Sequence, residues 1–369
     1  MILLFITIFP LLHSFIIFSK EILLSICGCL CKLFLLQKNN IKKTTFFFFE
    51  NTSRRPSNVP PDPRRVPKKF KLCLKKLGEI EMAPLTAFLN GIISETPHDA
   101  IAALDILLRH RPSIIYTTVG RCFYTPDSAA GIANGAQLWQ GFHQSLKPSR
   151  GGMLINLDVS ATAFYQPGSV LDITAKILGK NSPSDLRTPL SDKDRLKVEK
   201  ALKGIKIVVT HRGTIRRKYR IAKITPGPAS RTMFPVGDTG MEDSVTNYFA
   251  SKYGTRLYFP HLPCLIVGDP SKHVYLPFEV CEILPGQRHL RKLNERQTAE
   301  MIKFTCQPPH VRSNKISTGI EVLQGGGANY LDEFGVAVGS EMVIVNGRVL
   351  PAPAISYHPA SKEPVITPR

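Results

Sequence analysis

The chain has 369 residues, with 48 Lys and Arg against 28 Asp and Glu and a formal net charge of +20. That length supplies material for about two or three domains with real cores, and the charge calls for a polyanionic partner, either nucleic acid or an anionic membrane surface. The eight cysteines form no CxxC pair and no His-x₃₋₅-His partner accompanies them, which excludes a zinc site of that kind; no other metal or cofactor motif stands out. Cys73, Cys122, Cys264, Cys281 and Cys306 stand singly among apolar residues and read as buried thiols in a reducing compartment, which places the chain in the cytoplasm.

Residues 1–36 are almost wholly apolar, interrupted by Lys20 and Glu21, and "KNNIKKTTFFFFEN" (38–51) is of low complexity. Three readings of residues 1–53 stay open: a doubtful extension of translated non-coding sequence, a membrane anchor over 1–36 with Cys27, Cys29 and Cys31 open to lipidation, and a signal peptide that lacks a basic start. "RRPSNVPPDPRRVPKK" (54–69) is rich in Pro and Arg, stays extended and reads as a linker.

The clearest helix is predicted over 96–113, with Thr96 as its cap, Pro97 in the first turn, Asp99 at the positive end and Pro112 as its stop. A strand follows at 153–165, where Ile155, Leu157 and Val159 alternate with Asn156, Asp158 and Ser160. Two more are expected at 204–211 and 217–224, with Gly213 in the turn between them. "EDSVTNYFASKYG" (242–254) reads as a short helix ended by Gly254. Short strands are expected at "RLYF", "CLIVG" and "HVYLPFEV" between 256 and 280, and "NERQTAEMIKFT" (294–305) opens on an Asn-x-x-Gln capping box. Many short strands with one helical insert predict an α+β fold: a small β-barrel carrying an α/β appendage.

The stretch "HRGTIRRKYR" (211–220) holds four arginines, a lysine, a histidine and a tyrosine. Arg217 and Tyr219 share a strand face, and His211 ends the preceding strand across the turn. Tyr248 and Lys252 share a face of the 242–254 helix, and Tyr253 reaches the same place only if the helix ends there. Arg and Lys neutralise phosphate oxygens, Tyr hydroxyls donate to them, and a flat ring such as Phe234 can stack on a base. Each has a plainer reading: Phe234 as core, His211 as a strand-end cap, Tyr248–Phe249 as an amphipathic pair. Taken together they point to single-stranded nucleic acid.

Longer strings carry a family likeness. "VGRCFYTP" (119–126), "LWQGFHQSLKPSRGGMLINLDVSATAFYQPGSVLDI" (138–173), "THRGTIRRKYRIAKITPGPASRTMFP" (210–235), "VTNYFASKYG" (245–254), the run from Tyr258 to Thr305, and "DEFGVAVGSEMVIVNGRVLPAPAISY" (332–357) resemble eukaryotic Argonaute proteins. The resemblance runs from about residue 70 to the end. It implies a partial N domain at 70–117, a first linker domain at 118–169, a PAZ domain with an OB/SH3-like barrel at 170–289 and a second linker domain at 290–369, the two linkers being mixed α/β. It further implies that the PAZ domain holds the 3′ end of a single-stranded small guide RNA, in concert with silencing-complex proteins. In that family pattern His211, Arg217, Tyr219, Tyr248, Lys252 and Tyr253 match the phosphate-contacting groups. Phe234 matches the ring beside the terminal nucleotide, and Leu276 the apolar contact to the end ribose. The family's MID and PIWI domains have no counterpart here, and no cluster of carboxylates suited to metal-assisted cleavage is apparent, so the expectation is RNA binding without slicer activity. A membrane-tethered scaffold, or a partial product of a full Argonaute gene, is the competing expectation.

Overall fold

The computed structural model describes residues 78–149, 151–213, 216–236, 241–269, 272–324, 330–344 and 346–353, with shorter pieces at 2–8, 14–17, 44–50, 69–75, 355–356, 358 and 365–366. The lipidation reading of Cys27, Cys29 and Cys31, most of the 54–69 linker, and the glycine run 325–327 lie outside the described residues. Strands β1 (Ile2–Ile8), β2 (Ser14–Ile17), β3 (Thr44–Glu50), β4 (Lys69–Lys75) and β5 (Gly78–Glu81) precede helices α1 (Ala83–Leu89) and α2 (His98–Ile115). Among the described residues no helix is long and apolar enough to cross a membrane.

The first folded layer is a long antiparallel sheet. β6 (Thr117–Val119), β7 (Cys122–Ile132), β8 (Ala136–Ser149) and β9 (Gly152–Tyr165) follow one another as neighbours. β8 and β9 pair over their whole lengths, from Ala136↔Tyr165 to Ser149↔Gly152. The strand expected at 153–165 is therefore present, with Met153, Ile155 and Leu157 wholly buried. Gly141 is required by a close approach: a Cβ there would stand 1.9 Å from the Phe123 carbonyl oxygen. The backbone of β1 lies beside β9, with Ile2↔Leu157 through Ile6↔Met153.

Helix α2 packs on this sheet and departs from expectation at both ends. It starts at His98, with Pro97 at the cap position and no side-chain cap, so Thr96 does not serve. Pro112 lies inside the helix and does not stop it. Leu104, Leu108 and Pro112 recur at a four-residue spacing and are all buried, so this stripe favours the last turn that the ring would otherwise disrupt.

A second layer follows from β10 (Gly168–Ser169) and helix α3 (Val170–Ile177), capped by the Ser169 hydroxyl. Helix α4 (Asp192–Leu202) is capped by Ser191. Strands β11 (Lys206–Val209) and β12 (Lys218–Pro228) occupy the positions expected, the first shorter and the second longer. β13 (Met233–Val236) pairs with β14 (Met241–Ser244), which leads into α5 (Val245–Tyr253). β15 (Pro263–Asp269), β16 (Lys272–Pro277) and β17 (Cys281–Ile283) complete a six-stranded sheet of order β10-β17-β11-β12-β15-β16. No pair among the described residues joins β10 to β16, so the fold is described as mixed α+β. "RLYF" is not a strand: the Tyr258 and Phe259 amides donate to the Glu279 carboxylate at 2.8 and 3.2 Å, which satisfies them without a ladder.

Helix α6 (Glu295–Thr305) carries the expected capping box between Asn294 and Gln297. Helices α7 (Pro309–Gln324) and α8 (Tyr330–Glu333) precede β18 (Val336–Met342), which pairs with β1, so the carboxy-terminal part returns to the first sheet. Ile316, Ile320 and Leu323 of α7 join Leu104, Leu108, Ile155 and Leu157 in one core. The second layer has its own core, from Val170 and Ile173 through Ile207, Ile221, Leu265 and Leu276 to Ile283.

Candidate nucleic-acid interface

The ring-bearing helix α5 owes its position to three local devices. Ser244 caps it, taking the Asn247 amide at 3.2 Å, which is why the helix begins at Val245 and the residues before it form β14. Val245 and Phe249 are buried and anchor the helix in the second core. Gly254, at φ 61°, ends it in the left-handed conformation and leaves Tyr253 as the last helical residue.

With that end in place, rings from four segments meet. Tyr248 stands 5.9 Å from Tyr253 and 5.1 Å from Phe234 on β13, both edge to face. His211, just after β11, lies 4.6 Å from Tyr253 and 4.9 Å from Phe249. Tyr275 of β16 adds a sixth ring, 6.1 Å from Phe234. Phe234, Tyr248, Tyr253, Tyr219 and Tyr275 are all half-buried against the second core, so each keeps an open edge or face.

Cations ring this aromatic surface. The Lys252 ammonium sits 5.0 Å from the centre of the Tyr248 ring. Its side chain is exposed, and its pKa is raised, first by hydrogen bonding to Tyr248 and then by that phenol's charge. Arg212, a residue the pattern analysis did not single out, ties the cluster together. It donates from Nε to His211 Nε2 at 3.3 Å and from NH2 to the Tyr253 hydroxyl at 3.1 Å, with its guanidinium 5.7 Å from the Tyr253 ring. Its adjacency to His211 was the one signal in the sequence.

His211 is held toward its neutral form, its pKa lowered first by burial and then by the Arg212 charge. An imidazole that accepts at Nε2 keeps its proton on Nδ1, and Nδ1 is buried with no hydrogen-bond partner among the described residues. That orphaned donor stands beside one cation, the Arg212 guanidinium.

His211, Phe234, Tyr248, Lys252 and Tyr253 are thus brought into one connected cluster. Tyr219 packs against the same core from β12, two residues beyond Arg217. Arg217 is exposed at the foot of β12, its carbonyl taking the Val209 amide at 3.1 Å, and it makes no ion pair among the described residues. Leu276 is 4% exposed and lies in the core opposite Leu265, next in the chain to Tyr275. Among the described residues no group of His, Cys, Asp and Glu is placed to hold a metal ion.

Comparison with known proteins gives three successive family matches: the Argonaute linker 1 domain over 118–166, the PAZ domain over 171–302 and the Argonaute linker 2 domain over 311–357. Among curated relatives, protein argonaute PNH1 of Oryza sativa subsp. japonica is 39% identical over 312 residues, 83% of this chain and 31% of that protein. Protein argonaute 10 of Arabidopsis thaliana is 39% identical over 296 residues, 80% of this chain and 30% of that protein. The chain therefore spans about a third of the length of these relatives. Among solved structures, Kluyveromyces polysporus Argonaute, described with a guide RNA, aligns with 80% of this chain and 35% of that one, at 18% identity and a TM-score of 0.53, a likeness of fold. With a PAZ match between two Argonaute linker matches, and relatives aligned over four-fifths of its length, this chain belongs to the Argonaute family.

Proposed function

We propose that this protein binds the 3′ end of a single-stranded small RNA through the ring cluster on residues 211–275, and that it acts in RNA-mediated gene silencing without cleaving RNA itself. The observation that carries the reading is the meeting of His211, Phe234, Tyr248 and Tyr253 with Arg212 and Lys252 on one half-open surface, inside the segment that matches the PAZ domain. Phe234 offers the flat ring for the last base, while Arg212 and Lys252 offer their charges to the last phosphates and His211 holds the Arg212 guanidinium in place through Nε2. Arg217 and Tyr219 extend the cationic wall along β12, and Leu276 backs it from beneath. Contacts of this kind carry little base preference, because every base has a stacking face and every nucleotide a phosphate.

The division of the chain follows the same reading: a partial N domain at 70–117, a first linker at 118–169, the RNA-end domain at 170–289 and a second linker at 290–369. A barrel form for 170–289 is supported by the single core shared by β11, β12, β15, β16 and β17. The relatives' activities as whole proteins belong to chains about three times as long, so slicing and the recruitment of silencing-complex proteins are not assigned to these residues. A cytoplasmic setting fits the free thiols, although among the described side chains only Cys264 and Cys281 of those expected to be buried are so, Cys122 being half-buried and Cys306 exposed. The tethered-scaffold reading asks residues 1–36 to leave the protein as a unit, and the backbone of β1 pairs on both edges within the first sheet, which counts against it.

The test is a titration of a short 5′-labelled RNA, followed by fluorescence anisotropy, with its 3′ end free or capped by a bulky group. The expected result is a loss of about tenfold or more on capping, the equivalent of one stacked base. Equal affinities would refute end recognition.

A further inference from the structure

A second cationic cleft lies where helices α3 and α4 meet the segment 289–297 that leads into the second linker. It encloses about 340 Å³, within the range of roughly 300–1,000 Å³ that small-molecule sites occupy. Lys197 and Lys200 line it from α4, and Arg291 and Lys292 from the segment 289–297. Among the described residues no Asp or Glu lines it. The acid between the two lysines, Glu199, faces elsewhere: it accepts the Ile224 amide at 3.1 Å and pairs with Arg195 at 3.6 Å.

The floor is apolar, from Ile173, Ile177 and Leu202, and one wall is aromatic. Tyr165 and His289 stand with ring centres 4.8 Å apart. His289 donates from Nδ1 to the Arg291 carbonyl at 3.1 Å, which fixes the ring. Burial lowers its pKa, so it presents a neutral ring and the positive charge comes from the four cations. Four cations that make no ion pair among the described residues, over apolar side chains and beside two rings, make a site for an anion that carries a flat ring.

We propose that this cleft is a second nucleotide site, which holds one nucleotide of a single-stranded RNA at a point remote from its 3′ end. The phosphate sits among Lys197, Lys200, Arg291 and Lys292, and the base lies against Tyr165 and His289. Its residues are separate from the cluster of His211, Phe234 and Tyr248, so the inference does not depend on end recognition there.

The probe is adenosine 5′-monophosphate, titrated into the full chain carrying Phe234→Ala and Tyr248→Ala, with adenosine and inorganic phosphate as comparators. Binding is read by calorimetry and by the His289 ring-proton resonances. The nucleotide should bind and shift those resonances. Adding Lys197→Ala and Lys200→Ala, both exposed and harmless to folding, should weaken it about tenfold, the effect of losing a charge-assisted contact. A Lys200→Glu chain with its ring cluster intact should lose affinity equally for free-ended and capped RNA. Binding that disappears in the Phe234→Ala, Tyr248→Ala chain, or that ignores the lysine changes, overturns the site. Adenosine binding as tightly as the nucleotide overturns the phosphate contacts, and phosphate binding as tightly overturns the ring wall.

Discussion

Two aromatic clusters in this protein use the same kinds of side chain to opposite ends. In the first sheet, Trp139 stacks on Phe164 with ring centres 4.0 Å apart and planes 21° from parallel, and Tyr124 closes the group by bonding Ser160 at 2.9 Å. All three rings are 5% exposed or less. In the second layer, Phe234, Tyr248, Tyr253 and His211 meet edge to face, half-open, with Arg212 and Lys252 at their margins. Rings already stacked and sealed present no face to a ligand and hold strands together. Rings that meet by their edges under cations retain faces for a ligand. Burial and packing mode, rather than residue type, separate the structural cluster from the one proposed to bind RNA.

The sharpest break between the two is in stability. Trp139→Ala removes a large buried ring and should cost about 3–5 kcal/mol, seen as an earlier denaturant midpoint, while the folded fraction keeps its RNA affinity. Tyr248→Ala should do the reverse. Its ring is half-exposed, so stability moves little, and RNA affinity should fall by about 1–3 kcal/mol, the worth of one stacked base. Should Tyr248→Ala unfold the protein as Trp139→Ala does, the distinction would collapse.

Lys252→Ala gives a smaller effect of a different kind. An exposed cation contributes to binding through one phosphate, so the variant should reduce the dependence of log affinity on log salt by about 0.7. A slope unchanged from the parent would remove Lys252 from the phosphate wall.

The smallest effect concerns pH. The His211 pKa is lowered from its ordinary value of 6.5, so the unfolded chain takes up a proton at a higher pH than the folded one. Its contribution to stability is fully present above pH 6.5 and is lost as pH falls through the folded value. His211→Gln should therefore flatten the decline in stability below pH 6.5, and the difference between the two pH curves isolates it from the other buried histidines. Parallel curves would show that His211 is not held neutral.

Much of the second cluster was legible in the sequence because its residues sit on short, strongly marked elements. Gly254 ends α5 as expected, and that end puts Tyr248, Lys252 and Tyr253 together, while the start, set by the Ser244 cap, falls at Val245 and not at the expected 242. The capping box at Asn294 and the alternation at 153–165 were equally plain. What failed were places where a distant partner decides: Glu279 satisfying the amides of "RLYF", or the buried stripe that carries α2 through Pro112. Helix α4 escaped notice because only Val198 and Leu202 of its residues are buried, which leaves a weak apolar period. Arg212 was hidden by its neighbours, since nothing local tells which arginine of 211–220 turns inward. The family likeness named most of the site and left out this one.

The most direct measurement of the central claim is the affinity ratio between free-ended and capped RNA, taken in the parent chain and in Phe234→Ala. The account predicts a ratio of about ten or more in the parent that falls to near one in the variant, because the ring that receives the last base is gone. A ratio that survives the loss of Phe234 would contradict it.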